Sequence, residues 1–222
     1  MNLNRTETSP SQPRTRRFLL YGLTALLCAG SFLFDARMVA WVAAHPDRGV
    51  RHAAQFFTRW GDFPPIIALI LILLLIAWLL KRPAVARILL LMLGSAVGGG
   101  LVANILRVLT GRTRPSANVA AGWYGLRNHG KWIAGSYGYS SFPSAHTAVA
   151  IGCIVPLWLL LSPRNRLLIA TPATLIALCI AASRILLNAH HLSDVLTSVW
   201  LGTLIADLIC TRFGHQKFLK TH

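Results

Sequence analysis

Three short clusters hold most of the residues in this sequence that have chemistry to offer. The first is Arg107-Val-Leu-Thr-Gly-Arg112-Thr-Arg114-Pro115, the second Ser141-Phe-Pro143-Ser144-Ala145-His146-Thr147, and the third runs from Ser183 and Arg184 through His190, His191 and Ser193 to Asp194. Arginine presents a rigid planar fork of donors that matches phosphate oxygens. Pro143 and Ser144 form a helix start, so backbone N–H groups and the positive end of the helix dipole would point at an anion near His146. His190 and Asp194, four residues apart, share a face if a helix begins there. No metal-ligand spacing accompanies them. Arginines, histidines and serines around one carboxylate suit an anionic, tetrahedral group, and nothing in the pattern calls for a metal or other cofactor.

The composition narrows what such a site could be. Of 222 residues, 55% are hydrophobic and 13% charged, against roughly 25% charged in a typical soluble domain; so little charge cannot coat a soluble globule. The 22 Lys and Arg face six acidic residues, Glu7, Asp35, Asp47, Asp62, Asp194 and Asp207, for a formal charge of +16. A nucleic-acid binder shares that imbalance but not a mean hydropathy of +0.56. With so few carboxylates, a two-metal site or a paired-carboxylate hydrolase has almost nothing to be built from. Any reaction falls to His, Arg and Ser. Cys28, Cys153, Cys179 and Cys210 all lie in apolar runs, without a disulfide or metal pattern.

The elements that must position these residues are apolar. Six stretches, about residues 18–34, 64–80, 86–109, 147–161, 167–187 and 192–210, read as crossings of a hydrocarbon core about 30 Å thick. Apolar all round, they predict an all-α polytopic membrane bundle of six transmembrane helices, not a barrel, whose strands would alternate. Residues 1–13 are expected to be a disordered cytoplasmic tail, 14–212 the membrane domain and 213–222 a second cytoplasmic tail. The first run follows Arg14, Arg16 and Arg17 but lacks a clear cleavage site, and is read as a retained span. Short segments dense in charge, such as Lys81, Arg82 and Arg87 or Arg212, Lys217 and Lys220, put both termini in the cytoplasm. All three clusters then face outward, where their arginines run against the positive-inside rule and call for a functional reason.

Three further segments carry expectations. Residues 118–139, with Trp123, Tyr124, Arg127, His129, Lys131 and Trp132, form an aromatic and basic outer loop suited to gripping a headgroup or to anchoring at the interface. Val50, Ala53, Ala54 and Phe57 recur at helical spacing, as an interfacial helix or as a connector packed on the bundle. Gly94 and Gly98 make a small-xxx-small pair for close helix packing.

The pattern Arg107-x6-Arg114-Pro115, then Pro143-Ser144-Ala145-His146, then Ser183-Arg184-x5-His190-x3-Asp194 resembles the type 2 phosphatidic acid phosphatase superfamily, which also includes bacterial acid phosphatases and vanadium haloperoxidases. Arg107 stands where the family usually has Lys, and Ala145 where it has Gly. The resemblance covers about residues 86–210, the implied catalytic core. It implies a metal-independent lipid phosphatase in which His190 attacks phosphorus to form a phosphohistidine. In that scheme Asp194 hydrogen-bonds the other His190 ring nitrogen, His146 serves as acid and then base, and Arg107, Arg114, Ser144 and Arg184 bind the non-bridging oxygens. His191 is also within helical reach of Asp194, but the family spacing selects His190; Arg112 stays outside the set as a supporting or headgroup contact. The implied substrate is a lipid phosphate or diphosphate at the outer boundary of a bacterial inner membrane: undecaprenyl diphosphate, phosphatidylglycerol phosphate, phosphatidic acid or a lipid A phosphate. No nucleic acid is expected as partner. Phosphotransfer to another lipid, or a non-catalytic lipid-binding or transport relative, are the alternatives.

Overall fold

Capping carboxylates, prolines and one left-handed glycine punctuate the apolar runs. In the computed structural model, which describes residues 14–214, α1 (Arg14–Ser31) passes through a 3-10 turn (Phe32–Phe34) into α2 (Asp35–Ala44). α3 (Arg48–Trp60) is capped by Asp47, whose Oδ1 accepts from the Val50 amide at 2.7 Å. α4 (Phe63–Leu79) is capped by Asp62, whose Oδ1 accepts from the Phe63 amide at 2.8 Å ahead of Pro64 and Pro65. α5 (Pro83–Thr110) ends on Gly111 at φ +56°, packed so tightly that a Cβ there would lie 2.1 Å from the Gly125 oxygen. A long loop follows, holding the hairpin β1 (Arg127–Asn128) and β2 (Lys131–Trp132), and then α6 (Ala145–Leu160). α7 (Pro163–Asn165) leads through a π-helical turn (Arg166–Ala170) to α8 (Thr171–Leu186), and α9 (Leu192–Ile209) closes in a π-helical turn (Cys210–Gly214). The expected N-terminal tail, and all but the first two residues of the expected C-terminal one, lie outside the described residues.

The fold is an all-α membrane bundle. Among the described residues, four segments, Arg17–Ala44, Pro83–Thr110, Pro163–Leu186 and Leu192–Gly214, are long and apolar enough to cross a membrane, and α3 with α4, bent by 54°, make a fifth taken together. α6, the remaining expected run, has only 16 residues, about 24 Å of helix against a core of about 30 Å. The bundle encloses most of it: from Ala145 to Leu157 every residue but His146 and Val155 is buried, and only Trp158 and Leu159 near its end are exposed. Large side chains such as Leu19, Trp78, Leu101 and Leu175 point outward instead, as a lipid solvent permits.

Small residues bring α5, α6 and α9 into backbone contact around that central helix. A Cβ on Gly99 would sit 3.0 Å from the Ala148 oxygen, one on Gly152 2.6 Å from the Ser95 oxygen, and one on Gly202 2.8 Å from the Ala148 oxygen. The expected pair takes part less closely: Gly98 faces Ile205 on α9 and Gly94 only grazes Ile209. α3 is a connector packed on the bundle. Ala54 is buried, Phe57 joins the cluster of Ile154, Ala177 and Ile180, and Gly61 abuts Ile180.

Candidate active site

Antiparallel packing carries the three clusters to one end of the bundle. Arg107 sits in the last turn of α5, Ser144 and His146 at the start of α6, Arg184 in the last turn of α8, and His190 and Asp194 around the start of α9. Asp62, the cap of α4, reaches the same place: its Oδ1 lies 3.2 Å from His146 Nε2. Ser144 is the N-cap residue of α6, but its side chain does not cap; its Oγ accepts from Thr147 Oγ1 at 3.0 Å and is fully buried. Arg107, His146 and Asp62 line a cleft of about 370 Å³ together with Phe63, Gly100, Leu101 and Val149.

His190 is 2% exposed, and Nδ1 lies 2.6 Å from the Ser141 carbonyl oxygen. A carbonyl only accepts, so Nδ1 carries the proton and Nε2 keeps the lone pair. This corrects the expected bond to Asp194. The carboxylate is 3.7 Å from Nδ1, beyond hydrogen-bond range, because its Oδ2 is taken by Ser141 Oγ at 2.5 Å and the His191 amide at 2.8 Å. Asp194 therefore acts on His190 by charge, and by holding the residue whose carbonyl orients it. Burial, only partly opposed by Asp194, lowers His190 from its ordinary value to about 4, so the ring is neutral at pH 7. His191 differs: its Nε2 donates to the Thr113 carbonyl at 3.1 Å, and burial and then Arg112 lower its pKa.

The arginines repel one another around this imidazole. Arg114 acts on both Arg107 and Arg184. Arg107 Nε donates to the Ser140 carbonyl at 3.0 Å and Nη1 to Asn104 Oδ1 at 3.0 Å, and Arg114 Nη2 shares that carbonyl at 3.2 Å. Arg184 Nη1 donates to Thr58 Oγ1 at 3.1 Å. Both Arg114 and Arg184 are 6% exposed, yet Nε and Nη1 of Arg114 and Nε of Arg184 are buried without a hydrogen-bond partner. Burial lowers the Arg114 pKa. Like-charged, buried and under-bonded donors are costly unless an anion satisfies them.

Arg112, expected as a supporting or headgroup contact, supports the site: its Nη1 donates to Asp194 Oδ1 and its Nη2 to Asp35 Oδ2, at 2.5 and 2.6 Å. The sequence assigns no role to Asp35, Thr58 or Asp62, nor to Ser141 and Ser193 within the clusters; an aspartate inside an apolar run is the available signal for the first of them. The hairpin side chains stay outside this site: Arg127 stacks over Trp132 at 5.9 Å and Lys131 is exposed. Among the described residues, no three His, Cys, Asp or Glu side chains group as metal ligands.

A family model described as the PAP2 superfamily matches residues 86–217, more than half of the chain. The chain belongs to the PAP2 superfamily. No curated protein matches it in sequence. Among solved structures it is similar to the first transmembrane PAP2 type phosphatidylglycerolphosphate phosphatase from Bacillus subtilis, at 21% identity and a TM-score of 0.67 over 91% of this chain and 96% of that one. It is also similar to Aquifex aeolicus LpxE, at 15% identity and a TM-score of 0.56 over 80% and 95%. The PAP2 segment takes in all three clusters and leaves Asp35, Thr58 and Asp62, on α2 to α4, outside it.

Proposed function

We propose that this PAP2 protein is a lipid phosphate phosphatase that works through a phosphohistidine on His190. The observation that carries the reading is the set of buried, unpartnered guanidinium nitrogens on Arg114 and Arg184 beside a neutral imidazole with its lone pair on Nε2. The arginines would hold the non-bridging oxygens, with Ser144 Oγ and Arg107, where charge grows in the transition state. His190 Nε2 forms the N–P bond as the bond from phosphorus to the leaving oxygen breaks, and His146, entering the step as an imidazolium held by Asp62 and the bound phosphate anion, gives that oxygen its proton. His146 then takes a proton from water, whose oxygen displaces Nε2 from phosphorus and restores neutral His190. Asp194 offsets the positive charge on the ring while phosphorus is attached.

Several further points belong to this reading. The site would face the outer side of a bacterial inner membrane, both termini the cytoplasm, and residues 14–212 would form one membrane domain with its catalytic core at about 86–210. The apolar residues lining the 370 Å³ cleft, Phe63, Leu101 and Val149 among them, fit a lipid leaving group. Phosphatidylglycerol phosphate heads the candidate substrates because a protein of similar fold is named for it, ahead of undecaprenyl diphosphate, phosphatidic acid and lipid A phosphate.

The test is phosphate release from these four lipids by the purified protein in detergent, with EDTA, and rapid quenching for an acid-labile, alkali-stable phosphoenzyme. At least one lipid should be hydrolysed in EDTA, vanadate should inhibit, and His190→Ala should lose about 10³-fold or more. Undiminished turnover by His190→Ala would overturn the mechanism; no release from any lipid would overturn the function.

A further inference from the structure

We propose that Asp35, on the N-terminal helix pair outside the PAP2 segment, acts through Arg112 as a positioning residue that leaves the charge of Asp194 available to His190. The proposal rests on the phosphohistidine reading above. Asp35 opens α2 in the middle of a segment long and apolar enough to span a membrane, and it is 7% exposed. A carboxylate there needs a partner and a reason.

Its partners all lead to Asp194. Asp35 Oδ1 accepts from the Ser193 amide at 2.9 Å, and Oδ2 accepts from Ser193 Oγ and Arg112 Nη2, each at 2.6 Å. Ser193 Oγ also accepts from Arg112 Nη1 at 2.7 Å, the nitrogen that donates to Asp194 Oδ1. One guanidinium thus bridges two carboxylates, and one hydroxyl bridges the guanidinium and Asp35. The rings of Phe32 and Trp123 lie 5.1 and 4.7 Å from the Arg112 guanidinium carbon, and the residue is 7% exposed. Solvent screening inside this network is therefore weak.

The charge count gives the network its consequence. Asp35 and Arg112 cancel, so Asp194 meets His190 as a net single negative charge. Without Asp35, Arg112 would be neutralised by Asp194 alone and the phosphorylated ring would lose its counter-charge. Without Arg112, two carboxylates would stand uncompensated behind the ring. The other charged or titratable groups that act on His190 are Arg114 from the loop before α6, Arg184 from α8 and His146 from α6; none of them is altered by either change.

Asp35→Asn and Arg112→Gln therefore predict opposite displacements of the same titration. In detergent, Asp35→Asn should lower kcat about 10- to 100-fold with KM within about threefold, and should move the acid limb of kcat/KM to lower pH than in the unaltered protein. Arg112→Gln should move that limb to higher pH. The double variant, with the net charge restored, should be faster than Arg112→Gln alone, where independent structural damage would make it slower. Ser193→Ala, which removes only the bridging hydroxyl, covers the case in which a charge variant fails to fold; it should lower kcat about fivefold with KM unchanged. Limbs that do not move or move the same way, a double variant slower than Arg112→Gln, or an unchanged kcat in Ser193→Ala would overturn the proposal. If the unaltered protein forms no His190-dependent phosphoenzyme, the phosphohistidine mechanism has failed; if it does and these variants behave otherwise, only the role of Asp35 has failed.

Discussion

At the scale of single residues, the site separates two adjacent histidines by what their rings touch. His190 turns a protonated Nδ1 to a backbone carbonyl and leaves the lone pair on Nε2, whereas His191 uses its Nε2 to hold Thr113. His191→Ala should retain turnover within about tenfold, while His190→Ala abolishes it; the reverse result would show that the wrong ring had been assigned. The depressed His190 value also has a sign. Because the folded-state value, about 4, lies below the unfolded value of about 6.5, protonation favours unfolding. Stability present above about pH 6.5 is lost as the pH falls toward 4. Melting curves in detergent should show that loss, and His190→Asn should show less of it. Arg114→Lys keeps the charge but not the fork, so the nitrogens now unpartnered lose their geometry. Its kcat/KM should fall about 10²-fold or more.

At the scale of elements, the site depends on how closely α6 can be enclosed. Gly152 meets the Ser95 backbone and Gly202 the Ala148 backbone, so α5 and α9 approach α6 without intervening side chains. A helix so surrounded buries its polar start, Ser144 and Thr147, as fully as its apolar middle. Gly152→Ala puts a methyl against a carbonyl that cannot yield without moving α5. It should cost about 1–3 kcal/mol, read as a melting temperature several degrees lower. Gly22→Ala on α1, where nothing lies within 4 Å, should leave it unchanged.

For the whole molecule, the positive charge falls into separate populations. Lys81, Arg82 and Arg87 lie at the junction of α4 and α5, at the far end of the bundle from Arg107, Arg114 and Arg184. If that far end faces the cytoplasm, the hairpin at 127–132 faces out. Lys131→Cys should then react with a membrane-impermeant maleimide in intact cells, since its side chain is exposed. Native Cys153 and Cys210, buried in the helices, should react far more slowly. Labelling only after the membrane is opened would invert the topology.

Much of this was legible in residue order because it is locally encoded. Apolar runs determine helices that need a lipid solvent, and the spacings of Arg107 to Arg114 and of His190 to Asp194 keep those residues at the same helix ends. The short range of that code is also where it stops. Asp35 and Ser193 are 158 positions apart, Thr58 and Arg184 126, and no periodicity links them. Only packing decides that the first helix pair reaches the start of α9, or that the α4 cap meets His146. The Asp194 correction has the same origin: α9 begins only at Leu192, with His191 extended as its N-cap, so His190 shares no helix face with Asp194, and competing donors from Ser141, His191 and Arg112 decide which atoms the carboxylate bonds. Sequence by itself determined the bundle, the family and the chemistry on offer. Tertiary structure decided which nitrogen of His190 carries the proton and which buried charges support it, because the first depends on the loop before α6 meeting the start of α9 and the second on α2 reaching the same place.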